Sequence, residues 1–178
     1  MNSPTFSARI RPPGREERMN TYDHALRPAA NEDPLTLVVG VHLVLVEHGS
    51  ILLGRRRNTS YAAGLWHLPA GHMKTGETVT GSMCREANEE LGIRIDEEDL
   101  LLVHTLHHLD PDDGRSRLQL FFRPTRYGGH VRNAEPHKCE ELRAWPLDSL
   151  PADTVPYTVH ALAEITRGNT LSTVGWAA

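Results

Sequence analysis

The sequence predicts an α/β domain: a mixed β-sheet sandwiched between helices. Three observations carry that expectation. Segments rich in valine, leucine and aromatic residues at 35–46, 51–55, 65–69, 100–109 and 117–127 read as strands. Between them Val79, Met83, Ala87 and Leu91 recur every four residues, the apolar stripe of a helix that packs on a sheet. A second helical pattern at 155–167, with Val155, Val159, Leu162 and Ile165 near helical spacing, closes the series. Strands on both sides of one central helix, with another helix at the end, give a layered mixed sheet.

A chain of 178 residues suits one domain with a sizeable core. Residues 1–33 hold Pro4, Pro12, Pro13, Pro28 and many charges with no sustained period, so they read as a flexible N-terminal arm. The domain is expected at 34–170 and a C-terminal tail at 171–178. Residues 35–46 form one strand or a pair of short ones. Glu47-His48-Gly49-Ser50 turns the chain into the returning strand at 51–55. Leu65-Trp66-His67-Leu68-Pro69 is a short strand, with Trp66 in the core. Gly92 is placed to end the first helix and Gly168 the second. The turn chemistry of 110–115 separates the strands at 100–109 and 117–127. In the latter, Leu118, Leu120 and Phe122 alternate with Gln119 and Arg123, which suits a half-buried strand. Residues 142–147 add a last strand.

The net charge of −4 implies no large basic surface, so nucleic acid is not an expected partner. The two cysteines, Cys84 and Cys139, lack a paired short spacing and read as packed thiols in a reducing compartment. No apolar run approaches a membrane span and the N-terminus lacks a signal-peptide core, so a cytoplasmic protein is the expectation.

The chemistry concentrates on one side of the first helix. Glu86, Glu89 and Glu90 stand at i,i+3 and i,i+4 spacings and project together. Like charges at those spacings each cost a few tenths of a kcal/mol, roughly the size of a favourable helix pair. A hard divalent cation that takes oxygen ligands and bridges carboxylate to phosphate removes that cost. Glu90, at the edge of the apolar stripe, is the carboxylate expected to be partly buried, and Arg85 can brace Glu89 across one turn. Arg55, Arg56 and Arg57 are either a solvated strand end or a grip on phosphate. Tyr61 is a candidate for stacking on a base. His104, His107 and His108 do not make a zinc site, because strand alternation separates neighbours and no cysteine joins them.

Gly71, Glu77 and the run R-E-A-N-E-E-L-G-I at 85–93 fit every specified position of G-x5-E-x7-R-E-U-x-E-E-x-G-U, with only Ala87 small for its slot. The chain therefore resembles the Nudix family of hydrolases. The segment Glu135-Pro136-His137-Lys138-Cys139-Glu140, with Leu150-Pro151 after it, is similar to that of MutT-like relatives. Those relatives usually carry aromatic residues at the positions of Leu142 and Ala144, and often a glycine at Ala70.

The resemblance implies an α/β/α sandwich and a magnesium cofactor, with manganese as a substitute. It implies that Glu89 and Glu90 are direct ligands, that Glu86 is a ligand or the base for water, and that the Gly71 carbonyl completes the shell. Arg85 joins this catalytic set and pairs with Glu77 to hold loop to helix. A fourth carboxylate comes from Glu135 or Glu140, and Arg55, Arg57 and Tyr61 join these as the substrate-binding candidates. The implied reaction converts a nucleoside triphosphate to monophosphate and pyrophosphate. The alternatives are hydrolysis of nucleoside diphosphate derivatives, such as ADP-ribose or dinucleoside polyphosphates, and a nucleotide sensor that has lost catalysis. A sensor typically loses box glutamates, and this chain keeps them. Homodimers are frequent in the family, which leaves a homodimer open here.

Overall fold

The computed structural model describes residues 35–176, so the arm expected at 1–33 lies outside the described residues. The chain divides at Thr36, and the unit that carries the site begins at Leu37. Its elements are β1 (Val38–Leu43), β2 (Val46–Glu47), β3 (Ser50–Arg56), β4 (Trp66–His67), β5 (Ala70–His72), α1 (Val79–Leu91), β6 (Leu100–Leu109), β7 (Ser116–Pro124), β8 (Cys139–Pro146), α2 (Pro156–Thr166) and β9 (Leu171–Val174).

The strands divide between two sheets where the sequence suggested one. The first runs β5-β1-β7-β6-β9. It is mixed as expected, because β1 lies parallel to β7 and β6 parallel to β9 while the other pairs are antiparallel. The second is built on β3, which takes β8 along one edge and β2 and β4 along the other. The β2–β3 hairpin turns on His48 at φ 49° and Gly49 at φ 78°. Two successive positive φ values match the right-handed strand twist.

Period-2 alternation assigns the two faces of the first sheet. Val41 and Leu43 of β1, with Leu120 and Phe122 of β7, pack on Met83, Ala87 and Leu91 of α1. The neighbours Val44 and Phe121 face the other way, with Leu106 of β6 and Ala161 and Leu162 of α2. Trp66 joins that second core, edge-on to Trp145 with ring centroids 5.3 Å apart. Val159, expected on the inner stripe of α2, is exposed instead; the inner stripe runs through Thr158, Ala161 and Leu162. Burial on both faces places the mixed sheet between the helices.

α1 is closed at both ends by its own sequence. Thr78 Oγ1 accepts the Gly81 N–H at 2.9 Å, and Gly92, left-handed at φ 67°, donates to the Asn88 carbonyl at 3.0 Å. The expected tail at 171–178 includes β9, which pairs with β6 from Thr105↔Leu171 to His108↔Val174. Its four residues are too few to show a period, and its pairing is backbone to backbone. Trp176 follows it and packs against His107, centroids 4.7 Å apart.

Candidate active site

The acidic ridge is assembled between α1 and β5. Gly71 passes so close beneath Glu86 that a Cβ there would lie 2.0 Å from the carboxyl carbon, so only glycine leaves room for that carboxylate. Ala70, one residue earlier, donates its backbone N–H to Glu90 Oε2 at 2.9 Å. Burial, and then the neighbouring Glu86, push the Glu90 carboxyl up to about 8. Glu89 stands on the exposed outer side.

Arg85 ties these parts together. Its Nε and Nη2 donate to the two oxygens of Glu77 at 2.6 and 3.0 Å. Nη1 donates to Glu86 at 2.5 Å and to Glu89 at 3.1 Å, and Nη2 also reaches the His72 carbonyl at 3.2 Å. The Glu77–Arg85 pair is therefore the loop-to-helix clamp that the sequence suggested. Hydrogen bonds from Arg85, then from the Lys74 backbone, hold the Glu77 carboxyl down to about 2. With Glu86 and Glu89 turned to one guanidinium and Glu90 clipped to Ala70, no three ligating side chains already converge on one point among the described residues.

A cavity of about 690 Å³ opens beside the ridge, with Gly71, Glu86 and Glu90 in its wall. Arg55 lines it, donating to the Gly64 carbonyl at 3.1 Å. Arg56 lines it as well, with its guanidinium 6.0 Å from the centre of the Tyr61 ring, also in the wall. Arg57, a substrate candidate in the sequence, is exposed and absent from the wall; a register shift in the β3–β8 pairing at Arg55/Arg56 breaks the alternation and brings those two inward instead. Of the two outer carboxylates, Glu135 lies in the wall, held by Lys138 Nζ at 2.8 and 3.0 Å. Glu140 does not; it is exposed, 4.0 Å from Arg55.

The rest of the wall was not read as functional from the sequence. His42 of β1, His67 of β4, His108 of β6, Gln119 of β7 and Tyr157 of α2 meet there. Gln119, expected on the polar side of a half-buried strand, is 4 % exposed and bonds His42 Nε2 at 2.8 Å through Oε1. Burial lowers His42 from 6.5 to about 4 and His67 well below its ordinary value, so both imidazoles are neutral. The available signal was that β1 and β7 each carry a polar residue at a position facing the second core.

A model of the NUDIX domain matches residues 34–165. The chain belongs to the Nudix family. It is 32 % identical over 104 residues to the 8-oxo-dGDP phosphatase NUDT18 of Homo sapiens, a match covering 57 % of this chain and 30 % of that protein's length. It is 29 % identical over 80 residues to the 8-oxo-dGTP diphosphatase of Proteus vulgaris, covering 45 % and 70 %. Its fold resembles the crystal structure of a MutT NUDIX hydrolase from Burkholderia pseudomallei, with a TM-score of 0.66, 32 % identity, and 72 % and 97 % of the two chains covered. Within this Nudix domain, the box residues named from the sequence do meet at one ridge, while the cavity floor is contributed by five separate elements. No helix among the described residues is long and apolar enough to cross a membrane.

Proposed function

We propose that this domain is a magnesium-dependent pyrophosphohydrolase that cleaves a nucleoside triphosphate to monophosphate and pyrophosphate. One observation carries the reading: the Glu86 and Glu90 carboxylates are crowded against β5 at the wall of a nucleotide-sized cavity. A carboxyl pushed up to about 8 by burial and a like charge is one whose proton a hard cation replaces. The all-oxygen set of Glu86, Glu89, Glu90 and the Gly71 carbonyl suits magnesium or manganese. The bound ion would neutralise phosphate charge and acidify a coordinated water.

The chain's own residues do the rest. Arg85 holds Glu86 in place, and Glu86 is the base toward water. Arg55, Arg56 and Lys138 supply cations to the cavity wall for the phosphates. Tyr61 offers a face for stacking. The relatives named above support a nucleotide substrate, with an 8-oxoguanine nucleotide the first to test. The human relative, named for a diphosphate, favours a nucleoside diphosphate as the second reading.

The test is a magnesium-dependent nucleotide screen with product identification, run on wild type, Glu86→Gln and Glu90→Gln. Each variant is expected to lose on the order of 10²-fold in turnover. Near-full turnover in both variants would refute the mechanism. Tight nucleotide binding without phosphate release would favour a sensor.

A further inference from the structure

We infer that Tyr157 is a specificity-determining residue: its hydroxyl oxygen accepts a hydrogen bond from a ring N–H of the bound base and so favours an oxidised purine over its parent. This rests on the nucleotide reading above.

Hydrogen-bond polarity fixes the role of the hydroxyl. His67 Nδ1 lies 2.6 Å from the Leu68 carbonyl oxygen. A carbonyl only accepts, so Nδ1 carries the proton. The ring is 3 % exposed, and burial keeps it neutral, which leaves Nε2 a bare lone pair. Tyr157 Oη lies 2.7 Å from that Nε2. Burial pushes the phenol above its ordinary pKa, so it keeps its proton and donates it to His67. The hydroxyl is thereby committed as a donor, and its remaining lone pairs can only accept.

The ring cannot easily swing away from this arrangement. Its centroid lies 5.4 Å from that of His67, 5.9 Å from His42 and 5.2 Å from His108. His67 and Tyr157 both line the cavity. His67 precedes Ala70, whose N–H holds Glu90, by three residues. Glu86 and Glu90 of the ridge line that same cavity, whose volume of about 690 Å³ suits a single nucleotide.

A purine's imidazole edge distinguishes the two forms. Guanine presents a bare N7 lone pair, which an acceptor repels. Oxidation at C8 gives a lactam whose N7 carries a proton, which the same acceptor binds. A 7-deaza guanine, with a C–H at that position, neither repels nor donates.

The experiment measures kcat/KM with magnesium for 8-oxo-dGTP, 7-deaza-dGTP and dGTP, in wild type and Tyr157→Phe. In wild type the expected order is 8-oxo-dGTP, then 7-deaza-dGTP, then dGTP. In Tyr157→Phe the ratio of 8-oxo-dGTP to dGTP is expected to fall about tenfold. An unchanged ratio in Tyr157→Phe overturns the inference. So does wild-type turnover of 7-deaza-dGTP no better than dGTP, a comparison that needs no variant. If wild type hydrolyses none of the three, the nucleotide reading fails and takes this inference with it. Equal hydrolysis of all three sinks the inference alone.

Discussion

The buried His42 makes acid sensitivity a quantitative expectation. Its imidazole drops from 6.5 to about 4, chiefly by burial, with the Gln119 bond opposing and His72 and Arg56 adding to the shift. The unfolded chain therefore takes up this proton first. Stability from this source is intact above pH 6.5 and is lost as pH falls toward about 4. At 1.36 kcal/mol per unit, the full loss is about 3 kcal/mol, and roughly 2 kcal/mol falls between pH 6.5 and 5. His67, lowered for the same reason, acts in the same direction. Glu90 acts in the opposite one: its carboxyl, raised from 4.5 to about 8, binds a proton in the fold first and stabilises it as pH falls. Absolute stability can therefore look flat while two large contributions cancel. Comparison with His42→Gln removes the cancellation, since both proteins keep Glu90 and His67. Urea unfolding in magnesium-free buffer, followed by tryptophan fluorescence, gives both profiles. The wild type is expected to lose about 2 kcal/mol more than the variant between pH ~6.5 and ~5. Parallel profiles would refute the reasoning.

Three further outcomes are expected. Gly71→Ala drives a Cβ into the Glu86 carboxylate, which can swing aside without unfolding the domain; turnover is expected to fall on the order of 10²-fold with an unchanged circular dichroism spectrum, and normal kinetics would show that the close approach does not matter. Glu77→Gln removes the charge that Arg85 clamps, so the denaturation midpoint and turnover are expected to fall together; loss of only one would separate the clamp from the catalytic geometry. Ending the chain at Thr170 removes β9, leaving the β6 edge bare and His104 without Ser172; thermal melting is expected at a clearly lower temperature, and an unchanged melt would assign β9 no part in stability.

The ridge was legible because its geometry is local. Helical spacing alone places Glu86, Glu89 and Glu90 together, and Arg85 one turn from Glu89, before any tertiary contact forms. The identity of Gly71 was legible, but its reason, a carboxylate pressed on the backbone from a residue fifteen positions later, needed the packing of β5 on α1. The arginines show the opposite case. Alternation could not choose among Arg55, Arg56 and Arg57, since an irregularity in the β3–β8 register decides which two face inward. Tyr157 and His67 carried no signal, because their partnership depends on α2 docking beside β4. β9 is held by ladder bonds that any residue can make, so its side chains did not announce it.

The alternation of β1 and β7 has an evolutionary consequence. Along each strand, residues that hold α1 are interleaved one by one with residues that face the cavity: Val41 and Leu43 around His42, Leu118 and Leu120 around Gln119. The cavity lining can therefore drift by single substitutions on one face while the adjacent positions go on anchoring α1 on the other. Selection on the cavity and selection for a stable core act on separate, intercalated sets of codons.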